Sequence, residues 1–90
     1  MESFQWTIKG RVQGVGYRNF CLKKATNLGL KGTVQNLRNG DVQINVEGSN
    51  DKINEFKQWC QKGPLLARVD IIEEIKCDIR HFEEFLIVDQ

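Results

Sequence analysis

The chain has 90 residues, 40% of them apolar, and its 13 Lys and Arg against 12 Asp and Glu leave a formal charge of +1. That length allows one domain, residues 1–90, around a single core, and excludes a second. No apolar run approaches the roughly 18 residues that span a bilayer, and Met1-Glu2-Ser3-Phe4 lacks the basic and apolar regions of a secretory signal, so a cytoplasmic protein with no membrane partner is expected, by default a monomer.

Phe4, Trp6 and Ile8 alternate with Gln5, Thr7 and Lys9, the period of a strand with one buried face. Gly10, Gly14 and Gly16 then punctuate a turn. After it, Tyr17, Cys21, Ala25 and Leu28 fall on one helical stripe, and Gly29 supplies a left-handed stop. The runs Gly32 to Asn36 and Val42 to Val46 flank Asn39-Gly40, a hairpin signal. A two-residue loop would set Val34 opposite Asn45. A three-residue loop, Arg38-Asn39-Gly40, sets Val34 opposite Ile44 and keeps the apolar residues on one face, so it predicts the register. The same register places Asn36 opposite Val42, on the covered side of the sheet.

Ser49 has the chemistry of an N-cap and Asp51 suits the first turn of a second helix, whose stripe is Ile53, Phe56 and Cys60, widened by Trp59. Gly63-Pro64 ends it. Val69, Ile71, Ile75 and Cys77 mark the buried face of a fourth strand, interrupted by Glu73, and Phe85 to Val88 a short last strand or extension. The order βαββαβ, with right-handed crossovers, predicts an α+β ferredoxin-like sandwich: an antiparallel sheet of four to five strands with two helices on one face.

Residues 1–40 carry seven basic groups against Glu2 alone, whereas residues 41–90 carry six basic and eleven acidic groups. Either the basic half serves an anion, or the halves interleave in space and the asymmetry disappears. Cys21, Cys60 and Cys77 give neither a disulfide framework nor the close pairs of a zinc site, and read as buried thiols. His81 has no second ligand at metal spacing and reads as a surface turn residue, so no metal site and no cofactor are expected.

The segment Gly10-Arg11-Val12-Gln13-Gly14-Val15-Gly16-Tyr17-Arg18 joins the first strand to the first helix, where backbone amides are unpaired and the helix dipole is positive. Glycines allow such a loop to turn its amides inward around an anion. Arg18, in the first helical turn, leans back over the loop and can give a phosphate two parallel hydrogen bonds. A Walker A motif is excluded because no Lys follows Gly14 or Gly16. A dinucleotide fingerprint is excluded because Asn19 stands where it needs a glycine. Two readings of the loop remain on these grounds: an anion cradle, or a tight turn with a solvated Arg18.

The stretch Ile8-Lys9-Gly10-Arg11-Val12-Gln13-Gly14-Val15-Gly16-Tyr17-Arg18 resembles the first signature of the acylphosphatase family, and Gly32-Thr33-Val34-Gln35-Asn36 with Gly40, Val42 and Gly48 resembles the second. Length and element order are similar throughout. Tyr17 stands where the family usually has Phe or Met, and Thr33 where it usually has an aromatic residue. The resemblance implies hydrolysis of a small-molecule acyl phosphate to a carboxylate and inorganic phosphate, without a metal. It makes Arg18 the phosphate-binding catalytic arginine, Asn36 the residue that holds the attacking water, and the backbone of Gln13, Gly14, Val15, Gly16 and Tyr17 the phosphate cradle.

An RNA-recognition module shares the element order, but it needs aromatic residues on the third strand, which here offers Gln43, Asn45 and Glu47 outward, so no nucleic-acid partner is expected. A non-catalytic module for a phosphorylated ligand would explain the loop and leave Asn36 without a task.

Overall fold

The alternation at the start of the chain becomes β1 (Glu2–Arg11) in a computed structural model that describes residues 1–89, with Trp6 and Ile8 fully buried. The helical stripe becomes α1 (Tyr17–Asn27), burying Tyr17, Cys21 and Ala25. Its stop is a Schellman turn: Gly29 has φ 71°, its N–H reaches Thr26 O at 3.1 Å, and Leu30 N–H reaches Ala25 O at 2.9 Å. β2 (Lys31–Asn36) and β3 (Val42–Gly48) pair with Val34 opposite Ile44 and Asn36 opposite Val42, the register of the three-residue loop.

The second helix, α2 (Asn50–Lys62), buries Ile53, Phe56 and Cys60. Ser49 occupies its N-cap position with extended backbone, but its side chain makes no capping bond. Trp59 lies half-buried against Phe20, with Lys24 Nζ 3.7 Å from the centre of its ring. β4 (Arg68–Lys76) and β5 (Phe85–Ile87) complete a five-stranded sheet in the order β4-β1-β3-β2-β5. Both helices pack on one sheet face, around Trp6, Phe56 and Phe85. Because β1 lies between β3 and β4, the basic and acidic halves interleave in the sheet.

Four expectations are corrected. The sheet is mixed, because β5 pairs parallel with β2. β4 runs antiparallel to β1 and finishes at the end of the sheet from which β2 starts, so a strand entered from that end runs along β2. The apolar face of β4 is also misassigned. A bulge between Lys9 and Gly10 leaves Asp70 without a partner and shifts the alternation, so Ile72 packs against the core while Ile71 and Ile75 are exposed. Glu47 points to the outer sheet face yet is only 1% exposed, because residues 80–82 cover it. Finally, Cys77 is half-buried, unlike the buried Cys21 and Cys60. His81 is exposed in the irregular segment between β4 and β5, with φ 59°. Thr33 lies on the outer face, where its Oγ1 accepts from Asn45 Nδ2 at 3.1 Å.

Candidate active site

Strand pairing brings three chain segments to one end of the sheet: the loop after β1, the close of β2 and the end of β5. Between them lies a cavity of about 170 Å³ lined by Val12, Gly14, Gly16, Tyr17, Arg18, Asn19, Asn36 and Ile87. Gly14 and Gly16 have φ of 73° and 79°, and a Cβ built on either would meet nothing within 4 Å. Glycine is thus required there by backbone conformation rather than by space.

Gly16 is the N-cap of α1 and offers no side chain to the first turn, which also holds no acidic residue. The first backbone bond of the helix is Phe20 N–H to Gly16 O at 3.1 Å. Among the described residues, the amides from Gly14 to Asn19 take no backbone or side-chain acceptor. They form a set of donors at the positive end of a helix. Arg18 is the one charged residue in the cavity wall, is half-buried, and among the described residues has neither ion pair nor hydrogen bond.

Asn36 closes β2 on the helix-covered side. Its Oδ1 is buried and has no hydrogen-bond partner, alone in this respect among the described side-chain polar atoms. Such a group costs on the order of 1–3 kcal/mol unless something donates to it. The fold therefore sets a polar side chain with an unmatched buried acceptor in the wall of the cavity that holds Arg18 and the loop.

Of the residues expected at the site, Gly14, Gly16, Tyr17, Arg18 and Asn36 line this cavity, whereas Gln13 and Val15 belong to the loop without lining it. Gln13 directs its side chain away, donating from Nε2 to Leu37 O and Asp41 O at 2.8 Å each. Tyr17 is buried, and its hydroxyl donates to Cys60 O at 2.7 Å. Burial pushes the phenol far above its ordinary range, with the Cys60 and Cys21 thiols adding to the shift, so it stays protonated and serves as a donor. Burial likewise pushes the Cys60 thiol up.

Val12, Asn19 and Ile87 were missed from sequence. The first two flank the expected site residues Gln13 to Arg18, but Ile87 reaches the cavity only because β5 pairs with β2. No group of three or more His, Cys, Asp or Glu side chains that could hold a metal ion occurs among the described residues.

A family model described as acylphosphatase matches residues 4–87. The acylphosphatase of Mannheimia succiniciproducens is 51% identical over 70 residues, which cover 78% of each chain. That of Aliivibrio fischeri is 42% identical over 84 residues, 93% of each chain. The crystal structure of acylphosphatase from Bacillus subtilis superposes with a TM-score of 0.95 at 30% identity, covering 98% of this chain and 99% of that one. The family model takes in both helices and all five strands but for the first two residues of β1, and the relatives match over most of their own length, so the chain belongs to the acylphosphatase family.

Proposed function

We propose that this chain hydrolyses the carboxyl–phosphate bond of acyl phosphates, with the phosphoryl group held by Arg18 and the amides of the Gln13 to Tyr17 loop and the attacking water held by Asn36. The observation that carries this reading is that Asn36, whose side chain makes no hydrogen bond among the described residues, shares a cavity wall with Arg18. A module that only bound phosphate would need the arginine and the amides, but not a second polar side chain opposite them.

In this reading the guanidinium of Arg18 gives two of the phosphoryl oxygens parallel hydrogen bonds, and the loop amides meet the charge that spreads over the equatorial oxygens. The side-chain amide of Asn36, which can both donate to and accept from a water, binds it and fixes its lone pair toward phosphorus. The oxygen–phosphorus bond forms as the bond to the acyl oxygen breaks, and the carboxylate leaves with the electron pair. A carboxylate is stable at neutral pH, so its departure needs no acid. No Asp, Glu, His or Cys lines the cavity, and the water's proton passes to a phosphoryl oxygen of the substrate itself. All these groups come from one chain, so a monomer suffices.

Release of benzoate from benzoyl phosphate by the purified protein in EDTA tests the reading. Arg18→Ala is expected to keep the fold and lose at least about 10²-fold in turnover, the scale of one preorganised donor. Full activity in that variant would remove Arg18 from the mechanism. A folded wild-type protein that binds phosphate without hydrolysis would make the site a binding module.

A further inference from the structure

The phosphate loop and the hairpin that carries Asn36 are separate pieces of chain, yet the reaction read above needs their groups in fixed register. Gln13 connects them. Its Nε2 carries two N–H groups, one for Leu37 O and one for Asp41 O, each at 2.8 Å. Leu37 directly follows Asn36, and Asp41 directly precedes Val42, the cross-strand partner of Asn36. One side-chain amide therefore grips both sides of the rung that holds the water-binding asparagine.

The hairpin does not need Gln13 to close. Leu37 N–H reaches Asp41 O at 2.8 Å and Gly40 N–H reaches Leu37 O at 3.2 Å, while Asn39 bonds to Asp41 through both its carbonyl and its amide nitrogen. Gln13 instead supplies the tie between this closed hairpin and the loop, five residues before Arg18. The Lys9–Asp41 pair at 2.7 Å holds the hairpin to β1 on the strand side, and leaves the loop side to Gln13.

We propose that the side chain of Gln13 is a positioning residue that sets Asn36 against the phosphate loop and acts on turnover through Asn36 alone. The proposal rests on the reading of Asn36 as the water-binding group. It separates two roles of one residue, since the Gln13 backbone belongs to the loop while its amide faces the hairpin. A displacement of the order of 1 Å between water and phosphorus costs about 10²-fold in rate, so the tie matters even though its atoms touch no substrate.

Gln13→Ala is expected to lower kcat on benzoyl phosphate by roughly 10- to 100-fold while the inhibition constant for inorganic phosphate moves by less than about 3-fold. In an Asn36→Ala background the same substitution is expected to cost less than about 2-fold, because the group it positions is gone. Gln13→Glu adds a control of the same length. The carboxylate donates nothing to the two carbonyls and the protonated acid donates once, so its kcat is expected to recover as pH falls, relative to the wild type. An equal loss of kcat in both backgrounds, a phosphate constant that changes as much as kcat, or an unimpaired Gln13→Ala overturns the proposal. Should the wild type fail to hydrolyse benzoyl phosphate, the NMR signals of the Asn36 side-chain amide, assigned by their loss in Asn36→Ala, still test the tie. They are expected to move in Gln13→Ala, and unmoved signals refute it. If Gln13→Ala does not fold, Gln13→Glu carries the same comparison.

Discussion

The Tyr17 hydroxyl and the Cys60 carbonyl, 2.7 Å apart, join the first residue of α1 to the last turn of α2. Helical spacing would offer that carbonyl the N–H of residue 64, which is Pro64 and has none. The phenol thus satisfies an acceptor that the helix end strands, and the tyrosine, unusual at this place in the family, acquires a structural task. Tyr17→Phe is expected to cost about 1–3 kcal/mol, seen as a Tm lower by roughly 5–15 °C, while kcat on benzoyl phosphate is largely kept. An unchanged Tm would show that water replaces the phenol at Cys60.

Gly16 tests the loop separately. At φ 79° with open space around it, alanine there meets no clash and only the left-handed conformation resists. Gly16→Ala is expected to cost about 1–2 kcal/mol or to pull the loop out of shape, and in the second case inhibition by inorganic phosphate weakens. Asparagine tolerates the left-handed region better, so Gly16→Asn should lie between alanine and glycine in both Tm and phosphate inhibition. Alanine and asparagine variants that match the wild type in both would show that the conformation is not needed.

Asn36 should separate from Arg18 in kinetics. A group that directs water acts mainly in the transition state, so Asn36→Ala is expected to lower kcat by about 10²-fold or more with KM little changed. The same change removes a buried unpartnered acceptor, and it is expected to raise Tm slightly. An effect confined to KM would reassign Asn36 to substrate binding.

What the sequence discloses here follows what is local in the chain. The Val34–Ile44 register is readable because only one loop length keeps Val34, Val42, Ile44 and Val46 on a common face. Arg18 and the glycines are readable because a strand, a turn and a helix N-terminus are consecutive. The apolar face of β4 is not, since a bulge opposite Lys9 and Gly10 inverts the alternation without altering the residue pattern that suggests it. Nor is the task of the Gln13 side chain, whose acceptors are backbone carbonyls 24 and 28 residues away and leave no mark of residue type. Ile87 enters the site through parallel pairing with β2, a choice made by where β4 ends rather than by Ile87 or its neighbours.

Glu47 is the largest departure between outward patterning and actual environment, and it predicts how the fold fails in acid. Its carboxylate accepts from the Arg80 N–H at 2.6 Å, the Phe82 N–H at 3.1 Å and the Ser3 hydroxyl at 3.0 Å. The left-handed turn at His81 is what allows neighbouring amides to converge on one anion. Burial by itself raises the carboxyl pKa, but the bonds from Arg80, Phe82, Ser3 and His81 outweigh it and hold the group below its usual value of 4.5. A lowered folded pKa means that the stabilisation is complete above the unfolded value and is lost as pH falls through the folded one. Urea midpoints measured from pH 7 to pH 3 are therefore expected to fall below about pH 4.5 in the wild type. Glu47→Gln turns an amide N–H toward donors, and is expected to lose on the order of 1–3 kcal/mol at pH 7 with a shallower decline in acid. Parallel acid profiles for the two proteins would place the acid sensitivity on other carboxylates and leave Glu47 a purely geometric anchor for residues 80–82.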